Sequence, residues 1–240
     1  MPWYYAVAER DHEIQNPTSA EKIALLGRYL RLGPDSRVID LACGKAGPAT
    51  LLASTFGCRI LGIERSPEFV EAARERVLSA GVGDLVEIVE ADAHAVPLEP
   101  GVWDAALCLG ATFVWDDLPG TLAALTPAVR SGGHVVVGEP FWRVWPLPRG
   151  TDDLGYVSLR DTVARVEAAG LALTALIASS EDDWDRYESQ HWRAVEEWIA
   201  EHPRDPDLPE IRDQHERARD DYLQFQRELL GWAIFAAAKP

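Results

Sequence analysis

Four acids stand where short apolar runs give out: Asp40 in VIDLACGKAG, Glu64 in LGIERS, Asp92 in EADAHAVP and Glu139 in VVVGEP. In an open parallel sheet, ligands sit at the carboxyl ends of the strands, near the point where strand order reverses. Acids at those ends form one electronegative rim around whatever binds there. Glu64 follows Asp40 by 24 residues, a position from which a carboxylate accepts hydrogen bonds from a ribose diol. Taken alone, that spacing fits nicotinamide cofactors equally well. Asp40 separates the cases, because a carboxylate beside the glycine-rich turn repels a pyrophosphate and suits a cation. S-adenosylmethionine carries a sulfonium and an ammonium, and its adenine amino group needs an acceptor that Asp92 could supply.

The elements that would hold these acids can be read from the hydrophobic pattern. Apolar, β-rich runs at 37–42, 58–64, 85–91, 103–109 and 134–139 alternate with helical patterns, as in a parallel sheet with crossover helices. Ser66, Pro67 and Gly81 bound the helix after the second run, with Ser66 as its cap. An amphipathic helix from about Ser19 to Leu32 precedes the first run, and SGG at 131–133 turns the chain into the fifth. PFWRVWPLPRG reads as a loop over the ligand. A helix near 158–169, a strand at 171–179, a helical block and a final apolar strand follow. The expectation is an α/β, Rossmann-like sheet of seven strands: five parallel, one more, and a last one antiparallel. Residues 1–36 form an N-terminal helical cap, residues 37–240 the main domain, and about 181–229 a helical insertion before the last strand.

Composition narrows the partners. The chain has 240 residues, 47% hydrophobic and 26% charged, a globular balance. No apolar run approaches the roughly 18 residues of a membrane span, and MPWYYAVAERDHE does not read as a secretory signal. A cytoplasmic address is expected, with no membrane partner. A formal net charge of −16 opposes phosphate backbones, so a small molecule is favoured over nucleic acid. Cys43, Cys58 and Cys108 have no metal-ligand spacing, and no metal ligands are expected. The oligomeric state is open, with a homodimer through an exposed Trp-rich face as the association the sequence suggests.

From about Arg37 to Lys239 the chain resembles the class I S-adenosylmethionine-dependent methyltransferases. VIDLACGKAG corresponds to their acid and glycine-rich turn, Glu64 to their ribose-binding acid and Asp92 to their adenine-edge acid. HEIQNP at 12–17, GATF at 110–113 and GEPFW at 138–142 resemble segments of a bacterial subgroup of small-molecule methyltransferases, several uncharacterised. The resemblance implies S-adenosylmethionine as cofactor, held by Asp40, Ala42, Gly44, Glu64, Arg65, Asp92, Ala93 and Leu109. Ala42 and Ala46 depart from the family's usual glycines and are expected at negative φ, where a methyl costs only space. Lys45 is expected in solvent.

Methyl transfer is an in-line displacement that needs no protein nucleophile, but an acceptor hydroxyl or ammonium must lose a proton. Glu139, His12 and Tyr156 are the candidates for that step, with His94 read as a cofactor-wall residue. Trp115, Trp142 and Trp184 are candidates for substrate contact through aromatic faces that attract a cation. The acceptor atom, N, O or C, is not readable. Two rivals stay open at this point: intramolecular cyclisation of the cofactor releasing methylthioadenosine, and a non-catalytic S-adenosylmethionine-binding module.

Overall fold

The structure, a computed structural model, describes residues 2–240. Seven strands form one sheet: β1 (Arg37–Leu41), β2 (Arg59–Glu64), β3 (Val86–Glu90), β4 (Trp103–Leu109), β5 (Val129–Trp142), β6 (Ala172–Ala178) and β7 (Leu230–Ala238). Their order is β3-β2-β1-β4-β5-β7-β6. β1 to β5 run parallel, and β7 pairs antiparallel with both β5 and β6. The expected topology is the observed one. Every residue of β1 after Arg37 is buried, as a strand covered on both faces requires. Strand order reverses between β1 and β4, which opens a crevice at their carboxyl ends.

Helices α3 (Gly47–Phe56), α4 (Pro67–Ser79), α5 (Leu118–Ala128) and α6 (Leu159–Ala168) flank the sheet. Val38, Leu107 and Val136 face one layer, and Ile39, Ala106 and Val135 the other, so each face has its own apolar core. Two features of the expected framework differ in detail. SGG does not precede the fifth strand but lies inside β5, where five residues on, from Val129 to His134, the partner strand has advanced only from Trp103 to Ala105. This bulge absorbs the turn signal. Ser66 stands at the start of α4 without capping it by its side chain; its backbone N–H donates to Glu64 instead.

The elements that roof the crevice are α1 (Pro2–Ala8), α2 (Ala20–Tyr29), α7 (Glu181–Glu201) and α8 (Leu208–Asp221), the last continued by a π-helical turn (Tyr222–Gln226) and a short α9 (Arg227–Leu229). A capping box of Ser180 and Asp183 starts α7. Asp183 also receives the Lys22 ammonium and the Arg186 guanidinium, so α2 is tied to α7. A third, small core of Tyr4, Val7, Ala8, Val195, Trp198 and Ile211 joins α1 to α7 and α8. The N-terminal segment and the insertion are therefore packed on each other as well as on the sheet. The tryptophans are used in this packing, and among those with described side chains only Trp145 is exposed. An exposed Trp-rich face for a homodimer is absent among the described residues. No helix among them is long and apolar enough to cross a membrane.

Candidate functional site

A cavity of about 1390 Å³ lies over the carboxyl ends of β1, β2, β4 and β5 and under α1, α7 and the strap between α1 and α2. It exceeds the roughly 300–1,000 Å³ of a pocket for a single drug-sized ligand, so two small molecules can share it. Asp40, Ala42, Gly44, Glu64, Arg65, Asp92, Ala93 and Leu109 all line it, as do Glu139, Tyr156 and Trp184.

Asp40 points from β1 into this space with 2% of its surface exposed and receives no hydrogen bond from the described residues. Burial, and then the neighbouring Glu64 carboxylate, push its pKa from 3.8 to about 7. A buried carboxylate with no donor of its own is a site for a cation. Glu64 is placed differently. Its Oε2 accepts from Gly44 N at 3.0 Å, and its Oε1 accepts from Arg65 N at 2.9 Å and Ser66 N at 2.8 Å. A carboxylate has about four lone-pair sites, so one remains for a ligand. Glu64 thus holds the turn after β1 against the turn after β2. Asp92, an exposed residue, uses Oδ1 to accept from His94 N at 3.0 Å, and no hydrogen bond from the described residues occupies its other oxygen.

The turn after β1 is left-handed at three residues: Ala42 (φ 54°), Gly44 (φ 56°) and Ala46 (φ 56°). The expectation of negative φ at Ala42 and Ala46 is wrong, and both alanines sit where glycine is favoured. The strap packs directly on this turn. Gln15 Oε1 accepts from Lys45 N at 2.7 Å, and a Cβ on Gly44 would come within 2.1 Å of that oxygen. A Cβ on Gly47 would lie 1.9 Å from the Glu13 carbonyl oxygen. Asn16 Nδ2 donates to Leu109 O at 3.2 Å, so HEIQNP crosses from the first strand's turn to the end of the fourth. Lys45, expected in solvent, is 7% exposed; its ammonium donates to the carbonyls of Glu9 and Arg10 and fixes the start of the strap.

On the acceptor side, Glu139 Oε2 takes a 2.7 Å hydrogen bond from Thr112 Oγ1, and burial raises its pKa from 4.5 to about 7. β5 continues three residues past it, to Trp142. Tyr156 lines the same space, and burial and then the nearby Glu139 raise its phenol's pKa.

Three candidates are not brought to the cavity. His12 is buried behind it, its Nε2 3.0 Å from the Tyr187 carbonyl and its ring edge-on to Tyr187 and tilted against His191. Trp142 is 2% exposed and packs 6.3 Å from Tyr156, because the pleat turns it into the core. Trp115 ends a 3-10 turn (Thr112–Trp115) and lies half-buried against His94, which is itself exposed and outside the lining. Residues not anticipated as site residues do line the cavity: Gln15 and Asn16 of the strap, and Glu9, Glu188 and His191. HEIQNP was the signal for the first two. The others depend on α1 meeting α7 and have no local signature.

Comparison with known proteins agrees with this geometry. The family described as Methyltransferase domain matches residues 39–137, from within β1 to within β5. Uncharacterized protein YjhP of Escherichia coli strain K12 is 29% identical over 245 residues, covering 98% of each chain. A methyltransferase of Geobacter sulfurreducens, solved with S-adenosyl-L-homocysteine, is 30% identical, with a TM-score of 0.94 over 100% of this chain and 99% of that one. A second such complex, from Thiobacillus denitrificans, is 31% identical, with a TM-score of 0.93 over 100% and 99%. A seven-stranded sheet of this order, an unpartnered acid at the end of β1 and full-length likeness to cofactor-product complexes converge: this chain belongs to the S-adenosylmethionine-dependent methyltransferases.

Proposed function

We propose that the chain methylates a neutral or cationic small molecule, with the cofactor held by Asp40, Ala42, Gly44, Glu64, Arg65, Asp92, Ala93 and Leu109. The observation that carries the acceptor class is the charge of the cavity wall. Among the described residues it presents ten carboxylate side chains against the guanidinium groups of Arg65 and Arg165. Such a wall repels polycarboxylates and phosphates and concentrates cations. Trp184, Tyr156 and Tyr187 add aromatic faces to it, which suit an amine or a polarisable ring.

Bound there, S-adenosylmethionine supplies an electrophilic methyl group whose transfer depends chiefly on alignment. Asp40 faces the cationic part and Glu64 a ribose hydroxyl through its remaining lone pair. Asp92 accepts from the adenine edge. Gln15 and Asn16 close the strap over the turn, which excludes water from the bound pair. Glu139, oriented by Thr112, accepts the proton that a hydroxyl or ammonium acceptor releases, and its pKa near 7 suits that task at neutral pH. Tyr156 lies beside it as a donor to the acceptor. A cytoplasmic address accompanies this reading, supported by three cysteines that are all free and buried. The test is formation of S-adenosylhomocysteine with two acceptor panels, one of amines, phenols and alcohols, the other of polycarboxylates and phosphate esters. Turnover is expected in the first, and turnover confined to the second overturns the acceptor class.

A further inference from the structure

Away from the strand ends, three ligand-type side chains meet where the strap leaves α1 and touches α7. Glu9, His12 and His191 are all buried, and one ligand atom from each lies within 4.8 Å of the others. Two atoms of the group, Glu9 Oε2 and His12 Nδ1, have no hydrogen-bond partner and stand 3.9 Å apart. That is too long for a hydrogen bond. The tautomer of His12 explains the gap. Its Nε2 lies 3.0 Å from the Tyr187 carbonyl, which can only accept, so Nε2 carries the proton and Nδ1 of the neutral ring presents a lone pair. A lone pair and a carboxylate oxygen then face each other in a buried space, and a shared cation satisfies both.

The groups one layer out are those that orient metal ligands. Histidines on a metal donate their second ring N–H to a carbonyl or a carboxylate. His12 does so to Tyr187 O. Without the ion, His191 Nε2–H donates to Glu9 Oε1 at 3.1 Å; a metal would take the place of that proton, with Nδ1, 3.7 Å from Glu188 Oε2, carrying the N–H toward that carboxylate. The Tyr187 hydroxyl donates to Glu9 Oε1 at 2.7 Å and fixes the carboxylate. We propose that Glu9, His12 and His191 bind one divalent first-row transition-metal ion, the class that takes two imidazoles and a carboxylate. Glu9 and His191 also line the cavity, which gives the ion a way in and leaves its remaining positions facing a ligand there. Because Glu9 and His12 belong to the N-terminal segment and His191 to α7, the ion also staples the roof of the cavity together.

The site is tested on full-length protein stripped with a chelator and titrated with Zn²⁺, Mn²⁺ or Co²⁺ alone, so the readout does not depend on turnover or on the acceptor reading. One equivalent of at least one ion per chain is expected, with a rise in Tm and, for Co²⁺, visible d–d absorption. His191→Gln and Glu9→Gln should each weaken binding by more than the roughly 10–100-fold that loss of an outer partner costs. Circular dichroism and S-adenosylhomocysteine binding check that each variant is folded. His202→Ala, at the end of α7, should leave the stoichiometry at one. Absence of stoichiometric binding of all three ions, or binding unchanged in both His191→Gln and Glu9→Gln, overturns the proposal.

Discussion

Asp40 makes cofactor affinity depend on pH in a calculable way. With its pKa pushed up to about 7, the carboxyl is largely neutral at pH 6 and must ionise to face a cation. Binding is then weakened by the factor one plus ten to the power pKa minus pH, so S-adenosylmethionine affinity falls about fivefold from pH 7 to pH 6 and about fifteenfold from pH 7 to pH 5.5. The cofactor's own ammonium stays charged over that range, its group titrating near 8. The sign is fixed by the raised value: protons compete with the cofactor, and about half a proton is released per molecule bound at pH 7. Isothermal titration calorimetry from pH 5.5 to 7, in buffers of different ionisation enthalpy, reads both quantities. Asp40→Asn should flatten the pH dependence and abolish the proton release, while Glu139→Gln should leave them in place. Affinity that is flat in the wild type, or a pH dependence that survives in Asp40→Asn, would mean that Asp40 is not the group that faces the cation.

Other perturbations test the remaining parts. At saturating cofactor, kcat/KM should rise with pH through about 7 as Glu139 ionises, and Glu139→Gln should remove that limb and lower kcat on the order of 10²–10⁴-fold in initial-rate profiles. Ala42→Gly and Ala46→Gly relieve left-handed φ values of 54° and 56°. The relief of about 1–2 kcal/mol is partly offset by the freer unfolded chain, so each should stabilise by about 0.5–1 kcal/mol and raise Tm by roughly 1–4 °C in calorimetry; a fall in Tm would count against it. Gly47→Ala should push the strap off α3, because its Cβ would meet the Glu13 carbonyl at 1.9 Å. Limited proteolysis should then cut between residues 9 and 19 faster than in the wild type.

The sheet and its acids were legible because each rests on a local pattern. A buried parallel strand reads as a mainly apolar run, and Asp40, Glu64, Asp92 and Glu139 are the acids at or just beyond the carboxyl ends of four such runs. Directions of side chains were less legible. Trp142 and Trp184 both lie in stretches near the mouth, yet the pleat of β5 buries the first and the helical phase of α7 brings the second to the cavity. Contacts between distant segments were not legible at all. Lys45 looks like a surface residue until Glu9 and Arg10 arrive with carbonyls, and His12 looks like a base until Tyr187 and His191 enclose it. The φ values of Ala42 and Ala46 were not legible either, because an alanine gives no local sign of a left-handed backbone. Glu64 reads in the sequence as a ribose-binding acid, but three backbone N–H groups already occupy it. Glu64→Ala would therefore unfasten two turns as well as remove a ligand contact, and Glu64→Gln is the cleaner probe.

The most direct measurement is a crystal structure of the protein with S-adenosylhomocysteine. The ammonium is expected beside Asp40, a ribose hydroxyl on the free lone pair of Glu64, the adenine edge at Asp92, and open space between the sulfur and Glu139. A product molecule bound elsewhere in the cavity, or one whose ribose and ammonium leave Glu64 and Asp40 untouched, would contradict this arrangement.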